Sequence, residues 1–101
     1  MRMLLIARLP HDTFNAAVRD GSAGPKTQAI LEETKPENVY FTEMNGRRTV
    51  ILMIELVKPS DVPKLAEPWF LTFNADVEFH VVMGPEELQA AGLEELGRKW
   101  S

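Results

Sequence analysis

The chain has 101 residues, a net charge of −4 at neutral pH and no cysteine. That length suits one domain, and a chain of this size buries roughly two-thirds of its unfolded surface on folding, enough for a single core. The missing cysteine excludes disulfides, thiolate metal sites and a cysteine nucleophile, and acidic residues spread along the chain without a basic cluster argue against nucleic acid and anionic membranes as partners.

Residues 3–9, MLLIARL, form a short apolar run closed by Pro10. Its length suits a central strand buried on both faces, with Arg8 as the one charged member. The run from Met1 is interrupted by Arg8 and no small-residue cleavage site follows, so a strand is expected and not a signal peptide. No apolar run approaches the roughly 20 residues of a membrane-spanning helix, and a cytoplasmic location is expected. Asp12 is placed to cap a helix beginning at Thr13, with Phe14, Ala17 and Val18 on one face. Asp20-Gly21-Ser22-Ala23-Gly24 breaks that helix. Pro25 restarts one where its missing N–H costs nothing. Thr27, Ile30, Leu31 and Thr34 form its buried stripe, and Lys35-Pro36-Glu37 ends it.

Residues 38–58, NVYFTEMNGRRTVILMIELVK, read as two strands joined by Asn45-Gly46. Asn-Gly supplies the two positive-φ residues of a type I′ turn, so the loop needs only two residues. A two-residue loop fixes the register: Met44 faces Arg47, Glu43 faces Arg48, Phe41 faces Val50 and Val39 faces Leu52. Alternation then puts Val39, Phe41, Val50, Leu52, Ile54 and Leu56 on one face, under helices, with the Glu43–Arg48 pair near the turn. Tyr40, Thr42, Met44, Arg47, Thr49, Ile51, Met53 and Glu55 take the other face.

Pro59-Ser60-Asp61 signals the next helix, with Val62, Leu65, Trp69 and Phe73 near one side. Pro68 is expected to kink or split it. Trp69, Phe70 and Phe73 are expected in the core. Residues 76–83, DVEFHVVM, make a last strand in which Val77, Phe79 and Val81 alternate with Glu78, His80 and Val82. Gly84-Pro85-Glu86-Glu87 is a compact helix start. It leads into a tail that is apolar on one side, through Leu88, Ala91, Leu93, Leu96 and Trp100, with a break expected at Gly92.

The order strand, helix, strand, strand, helix, strand, plus an added C-terminal helix, predicts a single α+β domain over residues 1–101. Its arrangement is the ferredoxin-like split βαβ: a four-stranded antiparallel sheet with helices on one face. The first and third strands are expected to be central, and the first strand of the hairpin an edge. The uncovered face then carries Leu4, Ile6 and Arg8, the hairpin residues from Tyr40 to Glu55 named above, and Glu78, His80 and Val82. So apolar a patch marks an interface or binding groove. The expected partner is a second copy related by a two-fold axis, giving a barrel with a cavity between the sheets.

That layout resembles the dimeric α/β barrel superfamily, which includes muconolactone isomerase-like proteins, small cofactor-independent monooxygenases and stress-responsive barrel proteins. The segment Glu67-Pro68-Trp69-Phe70-Leu71-Thr72-Phe73-Asn74-Ala75, continuing Asp76-Val77-Glu78-Phe79, resembles small uncharacterised bacterial proteins of similar length, a likeness that runs through the whole chain. The resemblance implies a homodimer. It brings no catalytic motif that can be carried over residue by residue.

The expected function is binding of a small apolar or aromatic molecule between the sheets, with cofactor-independent proton-transfer or oxidation chemistry as the reaction class. His80 is the candidate base, with Glu78 on the same face to orient it. Arg8 and Tyr40 are candidates to polarise or orient a substrate. Thr42, Thr49, Ile51, Met53, Glu55 and Glu78 are the candidate lining. The plainer alternatives are that His80 and Tyr40 only pack or hydrogen-bond at an interface, that Arg8 pairs with Glu78 or Asp76, and that Glu55 reaches water. On those terms the protein is a non-catalytic interaction module. His11, beside Asp12, reads as a solvated loop residue, and Arg47-Arg48 as a solvated hairpin tip. Two distant histidines among scattered carboxylates make a poor metal site. The third strand lacks the aromatics that stack RNA bases in this fold, and no Gly-rich loop fits a phosphate. No cofactor is expected.

Overall fold

The computed structural model describes residues 1–101. Its elements run β1 (Arg2–Arg8), α1 (His11–Asp20), α2 (Ala23–Thr34), β2 (Asn38–Met44), β3 (Arg47–Glu55), a 3₁₀ turn (Pro59–Asp61), α3 (Val62–Phe73), β4 (Asp76–Val81), α4 (Pro85–Ala90) and α5 (Leu93–Lys99). The four strands form one antiparallel sheet in the order β2-β3-β1-β4. This is an α+β fold whose strand order is compatible with a ferredoxin-like sheet.

The hairpin register is the one dictated by the two-residue loop: Met44 pairs with Arg47, Phe41 with Val50 and Val39 with Leu52. Asn45 and Gly46 have φ of 54° and 77°. A Cβ on Gly46 would meet no atom within 4 Å, so any cost of substitution there is backbone strain alone. Gly46→Val should therefore destabilise the fold by about 1–3 kcal/mol, because a β-branched residue resists positive φ. Urea unfolding checks this: an unchanged midpoint would be incompatible with this turn. Glu43 and Arg48 pair across the strands as expected, and their side chains take other partners. Glu43 accepts the Gly46 N–H at 2.9 Å, and Arg48 donates to Asn15 Oδ1 at 2.7 Å.

The core lies between one sheet face and the helices. Met3, Leu5, Ala7 and Leu9 from β1 and its exit, with Val50, Leu52 and Ile54 from β3, meet Ala17 of α1, Ile30 of α2, and Trp69 and Phe73 of α3. Only 16 of 101 residues are buried, a small core for this length, because the opposite sheet face and the last two helices are uncovered.

Several local expectations are corrected. Helix α1 starts at His11 after an extended Pro10, and Asp12 makes no cap hydrogen bond. Asp12 instead sits in the first turn, where its charge favours the positive end of the helix dipole. Helix α2 starts at Ala23, before Pro25, which occupies a first-turn position whose N–H has no helical partner to lose. Pro68 does not split α3, which runs unbroken from Val62 to Phe73. The carbonyl it leaves without a donor belongs to Lys64, an exposed residue. Asn74 then ends α3 in the left-handed conformation, at φ 58°. Strand β4 stops at Val81 and not at Met83. Val18, Phe41 and Phe70 are exposed, although periodicity places them on buried faces. The added C-terminal helix is two short helices, α4 and α5, separated at Gly92, whose φ is 73°.

Residues 84–101 do not fold back onto the sheet. Leu88, Leu93, Leu96 and Trp100 all remain exposed. The molecule is 59 Å long by 29 by 19 Å, with a radius of gyration of 17.0 Å, against about 13 Å for a compact chain of 100 residues. This extension is an arm. Its entry is the one read from the residues: Gly84 caps α4, Pro85 follows, and Glu87 Oε1 accepts the Gly84 N–H at 2.9 Å.

Candidate functional site on the open sheet face

Alternation and register bring Arg8, Glu78 and His80 onto the face that carries no helix. Arg8 stands opposite Asp76, Ile6 opposite Glu78 and Leu4 opposite His80. Arg8 does not take its direct partner. Its Nη1 donates to Glu78 Oε2, the diagonal neighbour, a reach that a long side chain manages across an antiparallel pair. Asp76 lies instead 3.9 Å from Arg47 Nη1. The second oxygen of Glu78, Oε1, lies 3.8 Å from His80 Nε2. Glu78 therefore stands between a fixed cation and an imidazole.

The guanidinium also spans the sheet. Arg8 Nη2 lies 4.0 Å from Met44 Sδ on β2, so the side chain extends over the neighbouring strand, where its pairing partner is Thr49. Thr49 is only 1% exposed, and its Oγ1 donates to the Arg47 carbonyl at 3.0 Å. It is buried in the sheet and, with Thr42, borders a groove of about 170 Å³. Met44 was absent from the candidate lining. Its signal was its place on the open face at the end of β2, within reach of an arginine two strands away.

The remaining candidates are scattered. Tyr40 is 58% exposed and belongs to the cross-sheet row Tyr40, Ile51, Ile6, Glu78. Three strand spacings separate it from Glu78, about 14 Å at about 4.8 Å per strand, so Tyr40 and His80 of one chain cannot share a small ligand. Ile51 and Met53 are partly covered members of the face, and Thr42 is exposed at its edge. Glu55 lies apart, 2.6 Å from the Met1 amino group, and borders a surface cleft of about 600 Å³ with Glu33, Asp61 and Glu67. His11 is exposed.

Three surface cavities exist, and none is lined by Arg8, Glu78 or His80. One chain thus presents the site on an open sheet and not in a pocket. No group of three or more histidine, cysteine or acidic side chains is placed to hold a metal ion, and no helix is long and apolar enough to cross a membrane. Chemically, the arrangement offers a base with an adjacent carboxylate. If His80 takes a proton, the imidazolium and Glu78 become an ion pair, while Arg8 fixes the position of Glu78.

No protein-family model matches the chain, and no curated protein matches it.

Proposed function

We propose that two copies of this chain pack through their open sheet faces and bind a small apolar or aromatic molecule between them, with His80 as proton acceptor, in the manner of dimeric α/β barrel proteins. The observation that supports this most is Glu78 set between Arg8 and His80 on the uncovered face, beside the apolar Leu4, Ile6, Ile51 and Met53. Glu78 lies 3.8 Å from the imidazole, placed to pair with it once it has taken a proton, and Arg8 holds Glu78 while its remaining N–H donors stay available to a ligand oxygen. A two-fold axis running along the strands, between the sheets, would set β2 of one copy over β4 of the other. The partner's Tyr40 would then stand near Glu78 and His80, closing the gap that separates these groups within one chain. Proton transfer without a cofactor is the reaction class that needs no more than these residues.

A second reading has its own support. The charges on the open face already satisfy one another, so the same face would serve a purely structural dimer.

A thermal-shift screen of aromatic acids, ketones and quinones separates the two. A ligand at a hundred times its Kd stabilises a protein by about 2.7 kcal/mol, a shift of roughly 10 °C or more for a domain of this size. His80→Ala and Arg8→Ala should each reduce that shift by more than half while the dimer persists. Equal stabilisation of wild type and both variants would remove these residues from the site. Absence of any hit would favour the structural dimer.

A further inference from the structure

The arm of residues 84–101 has apolar side chains and nothing in its own chain to bury them. Trp100 is 78% exposed, and Leu88, Leu93 and Leu96 are exposed with it. The hydrogen bonds of α4 and α5 stay within the arm, as Leu88 N–H to the Gly84 carbonyl, Leu96 N–H to Gly92 and Arg98 to Glu95 illustrate. Helices this short, Pro85–Ala90 and Leu93–Lys99, do not persist alone in water and draw their stability from packing.

The complementary deficiency lies at the other edge of the sheet. Phe41 points to the helix side of β2, opposite buried Val50, yet is 63% exposed. It borders a groove of about 170 Å³ with Leu9, Phe14, Thr27 and Val50. That volume is below the about 300–1,000 Å³ of small-molecule pockets and suits an inserted side chain. Arg48 forms its rim, 5.1 Å from the centre of the Phe14 ring, donating to Asn15 Oδ1 and in no ion pair. The arm carries Glu86, Glu87, Glu94 and Glu95 against Arg98 and Lys99, so its net charge is opposite to that of the rim, although the two basic residues lie next to Trp100.

The arm leaves from β4, and the groove lies over β2, at the opposite edge. In the two-fold arrangement above, β4 of one copy stands over β2 of the other. The arm therefore begins at the partner's uncovered edge. Helices α4 and α5 together span about 20 Å at about 1.5 Å per residue, and β2 has a similar length at about 3.3 Å per residue. Trp100 comes last, and so falls toward the hairpin end, where Phe41 and Phe14 are.

We infer that residues 84–101 form a clasp exchanged between two copies of this chain, lying along the partner's β2 with Trp100 in the groove of Leu9, Phe14 and Phe41. The inference rests on the two-fold dimer proposed above. The absence of cysteine gives a clean test in the full-length chain. One preparation carries Phe41→Cys and another Trp100→Cys, both at exposed positions. The two are mixed, allowed to exchange subunits, and treated with a short bis-maleimide. A covalent dimer of one chain of each kind is expected, well above the yield from either preparation alone. Trp100→Glu should raise the dimer dissociation constant at least tenfold. If light scattering shows a dimer but no mixed cross-link forms and Trp100→Glu leaves dissociation unchanged, the clasp is overturned and the barrel stands. If wild type is a monomer at micromolar concentration, both are overturned.

Discussion

Trp69→Ala should lower the free energy of unfolding by about 3–5 kcal/mol, the range for a large aromatic removed from a core. Trp69 is fully buried and lies 6.2 Å from the Phe73 ring, which in turn meets Phe14 at 5.1 Å. These three side chains tie α3 to α1 over the sheet. With so few buried residues, nothing nearby can move in to fill the space. Against a typical total of about 5–15 kcal/mol, the loss should reduce the melting temperature by more than about 10 °C. The indole N–H complicates the position, because Nε1 is buried without a hydrogen-bond partner, at a desolvation cost of about 1–3 kcal/mol. Trp69→Phe removes that orphan together with part of the packing, and should cost clearly less than the alanine variant. Urea unfolding of both variants provides the check. Equal losses would mean that the N–H is satisfied in solution.

Ile51→Glu should raise the dimer dissociation constant by at least about a hundredfold, equivalent to about 2.7 kcal/mol. Ile51 sits near the middle of the open face, between Tyr40 on β2 and Ile6 on β1. A carboxylate there would be buried without a partner if two sheets meet, and burying an unpaired charge costs several kcal/mol. The monomer itself should lose only about 1 kcal/mol, the span of strand propensity. Sedimentation equilibrium measures the association, and circular dichroism confirms that the variant folds. A dissociation constant that does not change would move the interface off this face.

The strand order, the hairpin register and the membership of each sheet face were legible because they follow from period-two alternation and from one Asn-Gly loop. The Arg8–Glu78 contact was legible for the same reason: β1 and β4 are neighbours, and both residues point to the open side. Periodicity, however, reports which side chains share a face and not whether anything covers it. Phe41 and Leu88 have the pattern of buried residues, but no element of this chain lies over them. Pro68 removes one N–H and crowds the Lys64 carbonyl, yet α3 runs on through it, because the packing of Ala66, Trp69 and Phe73 against the core outweighs one lost hydrogen bond. The position of Thr49 beneath Arg8 depends on the rotamer of a long side chain, which no residue pattern specifies. Tyr40 and His80 share a face, but only the order of the strands sets them at opposite edges.

The central place of β1 has a consequence for how the molecule forms. Arg2 pairs with Glu55, and Met3 pairs with both Ile54 and Val81, so the first strand closes over most of the chain. The β2–β3 hairpin is local and can form within about 1–10 μs. β1 must then find β3 at the cost of a long loop, and β4 can join only after its own residues are available. Non-local pairings of this kind slow folding. On the ribosome, β1 would emerge before both of the strands it pairs with and wait unpaired until they follow. Its apolar residues Leu4, Leu5 and Ile6 would be the stretch most open to association with other nascent chains during that interval.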